Sequence, residues 1–288
     1  TVSADTTRAL LNCSGTHSAA GANTAMRILS LANPEAPSQI AAWPSANTNN
    51  TFYVHDCVPI GNRLYASSIY VGVQRVLNVT NPAAPTELAS WTYPGAYLTH
   101  NAWPDATGNY VYVTDEQNGQ PLRVFNISNL ASPTLVGEWS ANPQAIAHNA
   151  HVNGNELWVA HYTEGIRVLD ITDPAHPAEY GWSDTYPGPS GGYSGVWGVY
   201  PFFPSGTVIA SDMQTGLYVY RPQRNYGRVR VEVTESHPAR YGGEHSGHVM
   251  GLEGATVYLT SQSDSVRTSA DGVVQFAPNV GSHVVVAK

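Results

Sequence analysis

The chain has 288 residues, 42% of them hydrophobic and 12% charged, with a net charge of −8 and a single lysine, Lys288. No basic stripe exists to hold nucleic acid or anionic membrane, and no run approaches the roughly 18 apolar residues that span a bilayer. Polarity comes instead from Ser, Thr, Asn and Gly, and 26 Gly with 20 Pro supply frequent turns, the composition of an all-β protein with many short strands rather than a helical one.

The sequence opens at Thr1 with neither a charged nor an apolar leader, as expected of a chain that is processed or truncated at this end. Cys13 and Cys57 are its two cysteines, and the repeat described next places them on neighbouring units, where a disulfide is one reading and two buried thiols the other.

A repeat starts at Arg27-Ile28-Leu29-Ser30-Leu31, followed by Asn33-Pro34-Glu35-Ala36-Pro37 and a segment ending at Trp43. It returns as Arg75-Val76-Leu77-Asn78-Val79 with Asn81-Pro82-Ala83-Ala84-Pro85 and Trp91, then as Arg123-Val124-Phe125-Asn126-Ile127 with Asn129 to Pro133 and Trp139. The fourth copy is Arg167-Val168-Leu169-Asp170-Ile171 with Asp173-Pro174-Ala175-His176-Pro177 and Trp182. A fifth begins at Leu217-Tyr218-Val219-Tyr220 and stops at Arg221-Pro222. The first arginines are spaced 48, 48 and 44 residues apart.

Each unit predicts a strand, a tight turn and another strand. The Asx side chain caps the turn, and proline presets φ while refusing to extend a strand. A further hairpin lies upstream, as in Asn62 to Ser67 or Asn155 to Ala160. Four strands in roughly 45 residues is the size of a propeller blade. The fold expected for residues 1–222 is therefore a β-propeller. Five blades are the first choice, with the first and last units sharing a blade closed by both termini. An open ring would leave strand edges unpaired.

Residues 167–177 resemble the LVIVD-type repeat, and the wider pattern resembles the choice-of-anchor B proteins, bacterial secreted or surface propellers. The matching words include His55-Asp56, Tyr93 to His100, Ala147-His148-Asn149, Tyr162 to Arg167, Asp184 to Pro187 and Trp197 to Gly206. The resemblance implies an exported protein held at the cell surface through various C-terminal anchors. Residues 223–288 differ in pattern. Val229 to Val233, Gly254 to Leu259, Val266 to Gly272 and Val284 to Val286 resemble a small carboxypeptidase-regulatory or transthyretin-like β-sandwich.

In a propeller the innermost strand of each blade lines the central channel, and equivalent residues ring the axis. His55, His100 and His148 occupy equivalent positions 45 and 48 residues apart, each followed by Asp56, Asn101 or Asn149, and Trp197 stands at that place in the next unit. Three converging imidazoles suit zinc, copper or iron and leave a position open for a ligand. They equally suit a repeated hydrogen-bonded tie between blades, or metal-free ligand binding. A second ring at the same end carries Ser68, Asp115 and Glu116, His161 and Tyr162, and Asp212. These are candidates for outer partners of a metal, for calcium or sugar binding, or for solvated loop positions.

His151, three residues beyond His148, is expected on the other side of its strand. Tyr93, Tyr97, Trp103, Tyr162, Tyr193 and Trp197 are candidate platforms for sugars or peptides, or blade-packing aromatics. Glu244-His245-Ser246-Gly247-His248 has the wrong order and no helix for a zincin site. No Gly-x-Ser-x-Gly elbow or phosphate loop is present. Three functions follow: a secreted or surface protein binding a glycan, peptide or surface protein through its channel face; a metal-dependent enzyme with His55, His100 and His148 as ligands and Asp115 or Glu116 as base or as an outer partner of the metal; or a self-assembling structural subunit.

Overall fold

The computed structural model describes residues 8–12, 26–44, 52–224, 229–236, 249–251, 253–259, 265–268, 271–276 and 285–287. Cys13 and the Glu244 to His248 segment lie outside these residues.

Three complete blades follow one another. The first is β4 (Asp56–Ile60), β5 (Arg63–Ser68), β6 (Val73–Asn78) and β7 (Thr86–Trp91), after a three-stranded sheet of β1 (Arg8–Asn12), β2 (Met26–Ser30) and β3 (Ser38–Trp43). The second is β8 (Thr99–Pro104), β9 (Tyr110–Asp115), β10 (Leu122–Asn126) and β11 (Thr134–Trp139). The third is β12 (Ala150–Asn153), β13 (Glu156–Ala160), β14 (Ile166–Asp170) and β15 (Ala178–Ser183). A further blade has three strands, β16 (Val196–Tyr200), β17 (Val208–Asp212) and β18 (Gly216–Tyr220).

Among the described residues four blades are found, which corrects the expected five. The sheet β1–β3 packs on the first complete blade through Met26, Ile28 and Trp43, but supplies no innermost strand among the described residues. Nor do the described residues form a shared closing blade. β1–β3 and β16–β18 are separate sheets with no hydrogen-bonded strand between them.

The repeated words explain the blade. In the third strand of each unit the Val faces the following blade and the next residue faces the preceding one. Val76, Val124 and Val168 join one core, while Leu77, Phe125 and Leu169 join the core on the other side. A β-bulge falls between these two positions in each of the first four units, at Ile28/Leu29, Val76/Leu77, Val124/Phe125 and Val168/Leu169, and re-aims the strand at the same point. Each fully buried Val, Leu or Phe contributes about 1.5–3 kcal/mol. The cores therefore lie between blades, not within them.

In the three complete blades the arginine heading the word reaches the outer strand, with Arg75 on Glu87 at 2.8 Å, Arg123 on Glu138 at 3.1 Å and Arg167 on Glu179 at 3.1 Å. The Asx residues cap the turns as expected, with Asn81 Oδ1 accepting from the Ala83 N–H at 3.1 Å and Asn129 Oδ1 from the Ala131 N–H at 3.1 Å.

The tail carries β19 (Val229–Glu232), β20 (Thr234–Ser236), β21 (Val249–Gly251), β22 (Thr256–Leu259), β23 (Ser265–Arg267), β24 (Val273–Phe276) and β25 (Val285–Ala287). They form small antiparallel sheets β19–β24, β20–β21 and β23–β22–β25 around Val257, Val274 and Phe276. The tail region meets the outer side of the third blade, where Arg224 pairs with Glu156 and His176 Nε2 lies 3.0 Å from Asp271. Burial pushes the Glu156 carboxyl up, but hydrogen bonds from Arg224, Tyr180 and Trp158 outweigh it and leave the group below the usual carboxylate range.

Candidate functional site

The innermost strands β4, β8 and β12 begin at one end of the propeller, and antiparallel pairing brings the ends of β5, β9 and β13 to the same place. His55 sits just before β4, its N–H on the Ser67 carbonyl. His100 is the second residue of β8. His148 precedes β12, its N–H on the Ala160 carbonyl. Glu116 follows β9 directly, tethered by its N–H to the Leu98 carbonyl at 2.8 Å.

The three imidazoles stand in a row, with ring centroids 4.7 Å apart for His55 and His100 and 4.1 Å apart for His100 and His148. Glu116 reaches into this row. One carboxylate oxygen lies 3.7 Å from His100 Nε2 and the other 3.5 Å from His148 Nε2. The ligand atoms of His55, His100 and Glu116 all lie within 4.8 Å of one another. Bonds of about 2.0–2.1 Å to a tetrahedral ion place ligands about 3.3 Å apart, so small side-chain movements suffice to close this set.

Hydrogen bonding fixes one tautomer. His148 Nδ1 lies 2.6 Å from the Trp197 carbonyl, which accepts only, so Nδ1 carries the proton and Nε2 presents its lone pair toward Glu116. The Tyr162 hydroxyl donates to Glu116 Oε1 at 2.6 Å and orients the carboxylate. An imidazole lone pair and a carboxylate facing each other at 3.5 Å, in a site where Glu116 is largely enclosed, is an arrangement that a cation relieves.

Burial, then repulsion from His148 and His55, holds His100 well below the usual imidazole range. Burial drops His148 to about 4 despite the Trp197 hydrogen bond. Neutral imidazole is the form that ligates metal. Burial also pushes the Glu116 carboxyl up, with the Tyr162 hydrogen bond and His55 opposing. His100 Nδ1 is buried without a hydrogen-bond partner. Tyr162 has φ +37, a left-handed backbone that a tyrosine rarely adopts. Its carbonyl accepts from the Val196 N–H at 2.9 Å, and Gly195 approaches so closely that a Cβ there would lie 2.3 Å from that oxygen.

The other sequence candidates separate into different jobs. The residues after each histidine act largely as ties between blades. Asn101 Nδ2 donates to Asp56 Oδ2 at 2.6 Å, and Asn101 Oδ1 accepts from the Ala150 N–H at 3.1 Å, linking three blades. Asn149 carries a buried, unpartnered Oδ1. Asp115 turns away from its neighbour Glu116 and accepts from the Tyr97 and Leu98 N–H groups at 3.1 and 3.0 Å, clamping the 93–98 loop. Asp212 caps its own turn through the Gln214 and Thr215 N–H groups and takes the Thr185 hydroxyl at 2.7 Å.

His161 is buried edge-on to Trp139, 5.7 Å between centroids, rather than in the row. Trp197 lies against His148 at 5.4 Å. Cys57 is buried in the core beside Met26. The role of Tyr162 as the donor to Glu116 joins residues 46 apart in sequence, and the local pattern gives no sign of it beyond an aromatic in the right turn.

The LVIVD repeat model matches residues 105–140 and 146–185, the second and third complete blades. The chain is thus a β-propeller carrying LVIVD repeats. Among solved structures it is similar to the periplasmic gluconolactonase of Pseudomonas aeruginosa, at 14% identity over 99% of this chain and 72% of that one, with a TM-score of 0.55. It is also similar to a functionally unknown protein from Desulfotomaculum acetoxidans, at 12% identity over 76% and 67%, with a TM-score of 0.53. A Cps50 (Swd1) propeller domain from Myceliophteria thermophila matches at 12% identity and a TM-score of 0.47. The match covers 69% of this chain and 64% of that domain, less than two thirds of its length. The first two likenesses show the fold alone. No curated protein matches the sequence. No helix among the described residues is long and apolar enough to cross a membrane.

Proposed function

We propose that the protein is an exported, metal-centred binding protein whose channel mouth holds one divalent transition ion on His55, His100 and Glu116, with His148 beside them. The observation that carries this reading is the convergence of these ligand atoms within 4.8 Å at the mouth of the channel. The lone pair that His148 turns toward the Glu116 carboxylate at 3.5 Å supports it further. Two imidazoles and one carboxylate suit zinc or ferrous iron. Calcium takes six to eight oxygens and is a poor match for so nitrogen-rich a set.

Export is supported by the resemblance to choice-of-anchor B proteins. A Cys13–Cys57 disulfide and a tail that forms its own small β-sandwich over 223–288 belong to the same proposal. The tail then presents the propeller to an extracellular partner.

Metal analysis of the purified full chain, after incubation with zinc or ferrous iron and dialysis, tests this directly. One ion per chain is expected, lost in His100→Ala and in Glu116→Gln. A chain that takes up neither ion, or one whose ion is unaffected by both substitutions, ends the proposal.

A further inference from the structure

The end of the propeller that bears the histidines and Glu116 is also where aromatic side chains stand in solvent. Tyr70, Tyr97, Tyr193 and Trp197 are 50%, 64%, 56% and 55% exposed. All four come from segments that end or begin at the channel mouth. Tyr70 is on the 3-10 turn Ile69–Val71 after β5, Tyr97 is in the loop before β8, Tyr193 is in the loop before β16, and Trp197 is on β16 itself.

Their placement is held by specific contacts. Tyr70 lies 5.0 Å from Tyr53, and its turn touches the Tyr97 loop so closely that a Cβ on Gly72 would sit 2.7 Å from the Ala96 carbonyl. The Tyr193 hydroxyl donates to the Glu116 carbonyl at 3.1 Å, and the Trp197 ring leans on His148. Tyr193 is also 5.8 Å from Tyr162, the donor to the Glu116 carboxylate. Tyr193 and Trp197 thus stand against the candidate metal ligands themselves, while Tyr70 and Tyr97 belong to neighbouring segments at the same end of the propeller.

The charges around the mouth narrow the ligand. The arginines heading the repeat words of the complete blades are engaged by carboxylates, Arg75 by Glu87, Arg123 by Glu138, and Arg167 by Glu164 and Glu179, while Arg63, at the opposite end of β5 from the mouth, donates to the Gly108 carbonyl. No Lys or Arg pairs with Glu116 among the described residues, and the one lysine of the chain is Lys288. Among the described residues, then, no Lys or Arg stands ready at the site for a phosphate, sulfate or uronate. Exposed indole and phenol faces fit a flat ligand whose C–H surface is apolar and whose edge carries hydroxyls. A sugar ring has that form.

We infer that the mouth is a binding subsite for a neutral saccharide, its ring lying on Trp197 and Tyr193 and its hydroxyls turned to the ion held by His55, His100 and Glu116. This rests on the metal reading above. Trp197 has two parts in it: its carbonyl sets the His148 tautomer, and its indole face takes the sugar. Trp197→Ala keeps the carbonyl and removes the indole, which also leans on His148 and hydrogen-bonds Tyr162, so the ion content of the variant is measured beside its saccharide affinity.

The test is calorimetric titration of the ion-loaded full chain with cellohexaose, xylohexaose, mannohexaose and maltohexaose. Binding of at least one is expected, weakened tenfold or more by Trp197→Ala and by Tyr193→Ala and by removal of the ion with a chelator. Trp182→Ala serves as the control, because Trp182 is 66% exposed on the outer strand of the third blade. No binding of any of the four at about 10 mM, well above a 1 mM Kd, overturns the inference. So does binding that Trp182→Ala weakens as much as Trp197→Ala does, or a preference for dextran sulfate. Ion bound without saccharide leaves the metal reading standing and removes only this one. Saccharide bound undiminished by chelation overturns the contact with the ion.

Discussion

The innermost strands carry histidines toward both ends of the channel, and the two ends use them differently. At the mouth, His55, His100 and His148 contact one another, and His100 and His148 also approach a carboxylate. Toward the other end, His151 lies 4.7 Å from Trp103 and 5.9 Å from Phe202, while Trp103 and Phe202 stack at 5.3 Å with 19° between their planes. Tyr200 adds edge contacts to Phe202 and Phe203. His148 and His151 are three residues apart in one segment. Burial lowers both to about 4. A buried neutral imidazole is therefore no signature of a site by itself. What distinguishes the mouth is a carboxylate facing the lone pairs, and what distinguishes the other end is the apolar rings that replace it.

The sharpest way to break this comparison is Glu116→Gln, which keeps the shape and removes the charge. Loss of a direct ligand is expected to cost more than the 10–100-fold typical of an outer partner, so ion affinity should fall by about 100-fold or more. The unfolding midpoint of the ion-free protein should barely move. Competition against a chromogenic chelator measures the first and urea unfolding the second. An unchanged affinity would mean that the mouth is a packing arrangement like the other end.

Trp103→Ala should do the reverse. Truncating a half-buried tryptophan that stacks on Phe202 and His151 is expected to cost about 2 kcal/mol of stability, below the range for fully buried aromatics. The folded fraction should still bind the ion with wild-type affinity. A matching loss of ion binding at full folding would show that the two ends are coupled.

A smaller effect is expected of Tyr162→Phe. It deletes the hydroxyl that donates to Glu116 at 2.6 Å but leaves the ring against His148 at 4.8 Å. Orienting hydrogen bonds of this kind are worth roughly tenfold in metal affinity. An affinity equal to wild type would reduce Tyr162 to a packing role.

Much of this arrangement was legible in the sequence because it is local and repeated. The Arg-Val-Leu words, the Asx-Pro turns and the register of His55, His100 and His148 each follow from a short pattern read at a fixed spacing. The divergence of Asp115 and Glu116 was not legible. They are adjacent at the end of β9, and which one turns into the channel depends on the 93–98 loop, whose N–H groups take Asp115. The partners of Asp56 and Asn101 lie on neighbouring blades, so their role as ties emerges only when the blades are packed. Blade number failed as an expectation for the same reason. Closure depends on pairing between distant strands, and similarity within each unit says nothing about which edge meets which.

The gentlest test uses acid. His151 titrates at about 4 in the folded protein, because burial disfavours its charged form, and near 6.5 in an unfolded chain. Between these values the unfolded chain binds a proton that the folded one does not, so stability falls as pH drops from about 6.5 to about 4 and levels off below. Each such group contributes at most about 1.4 kcal/mol per pH unit. His100, His148 and His161 share the sign, whereas Glu116, Asp56 and Asp115, whose carboxyls are pushed up by burial, oppose it at the acid end. The informative quantity is therefore a difference. His151→Phe keeps a ring between Trp103 and Phe202 and removes one titrating group, so chelator-treated variant and wild-type protein should differ in slope by up to one proton across that window. Urea unfolding at half-unit steps from pH 7 to pH 4 measures it. Equal slopes would show that His151 is protonated in the folded state and that the apolar end is wetter than its ring contacts imply.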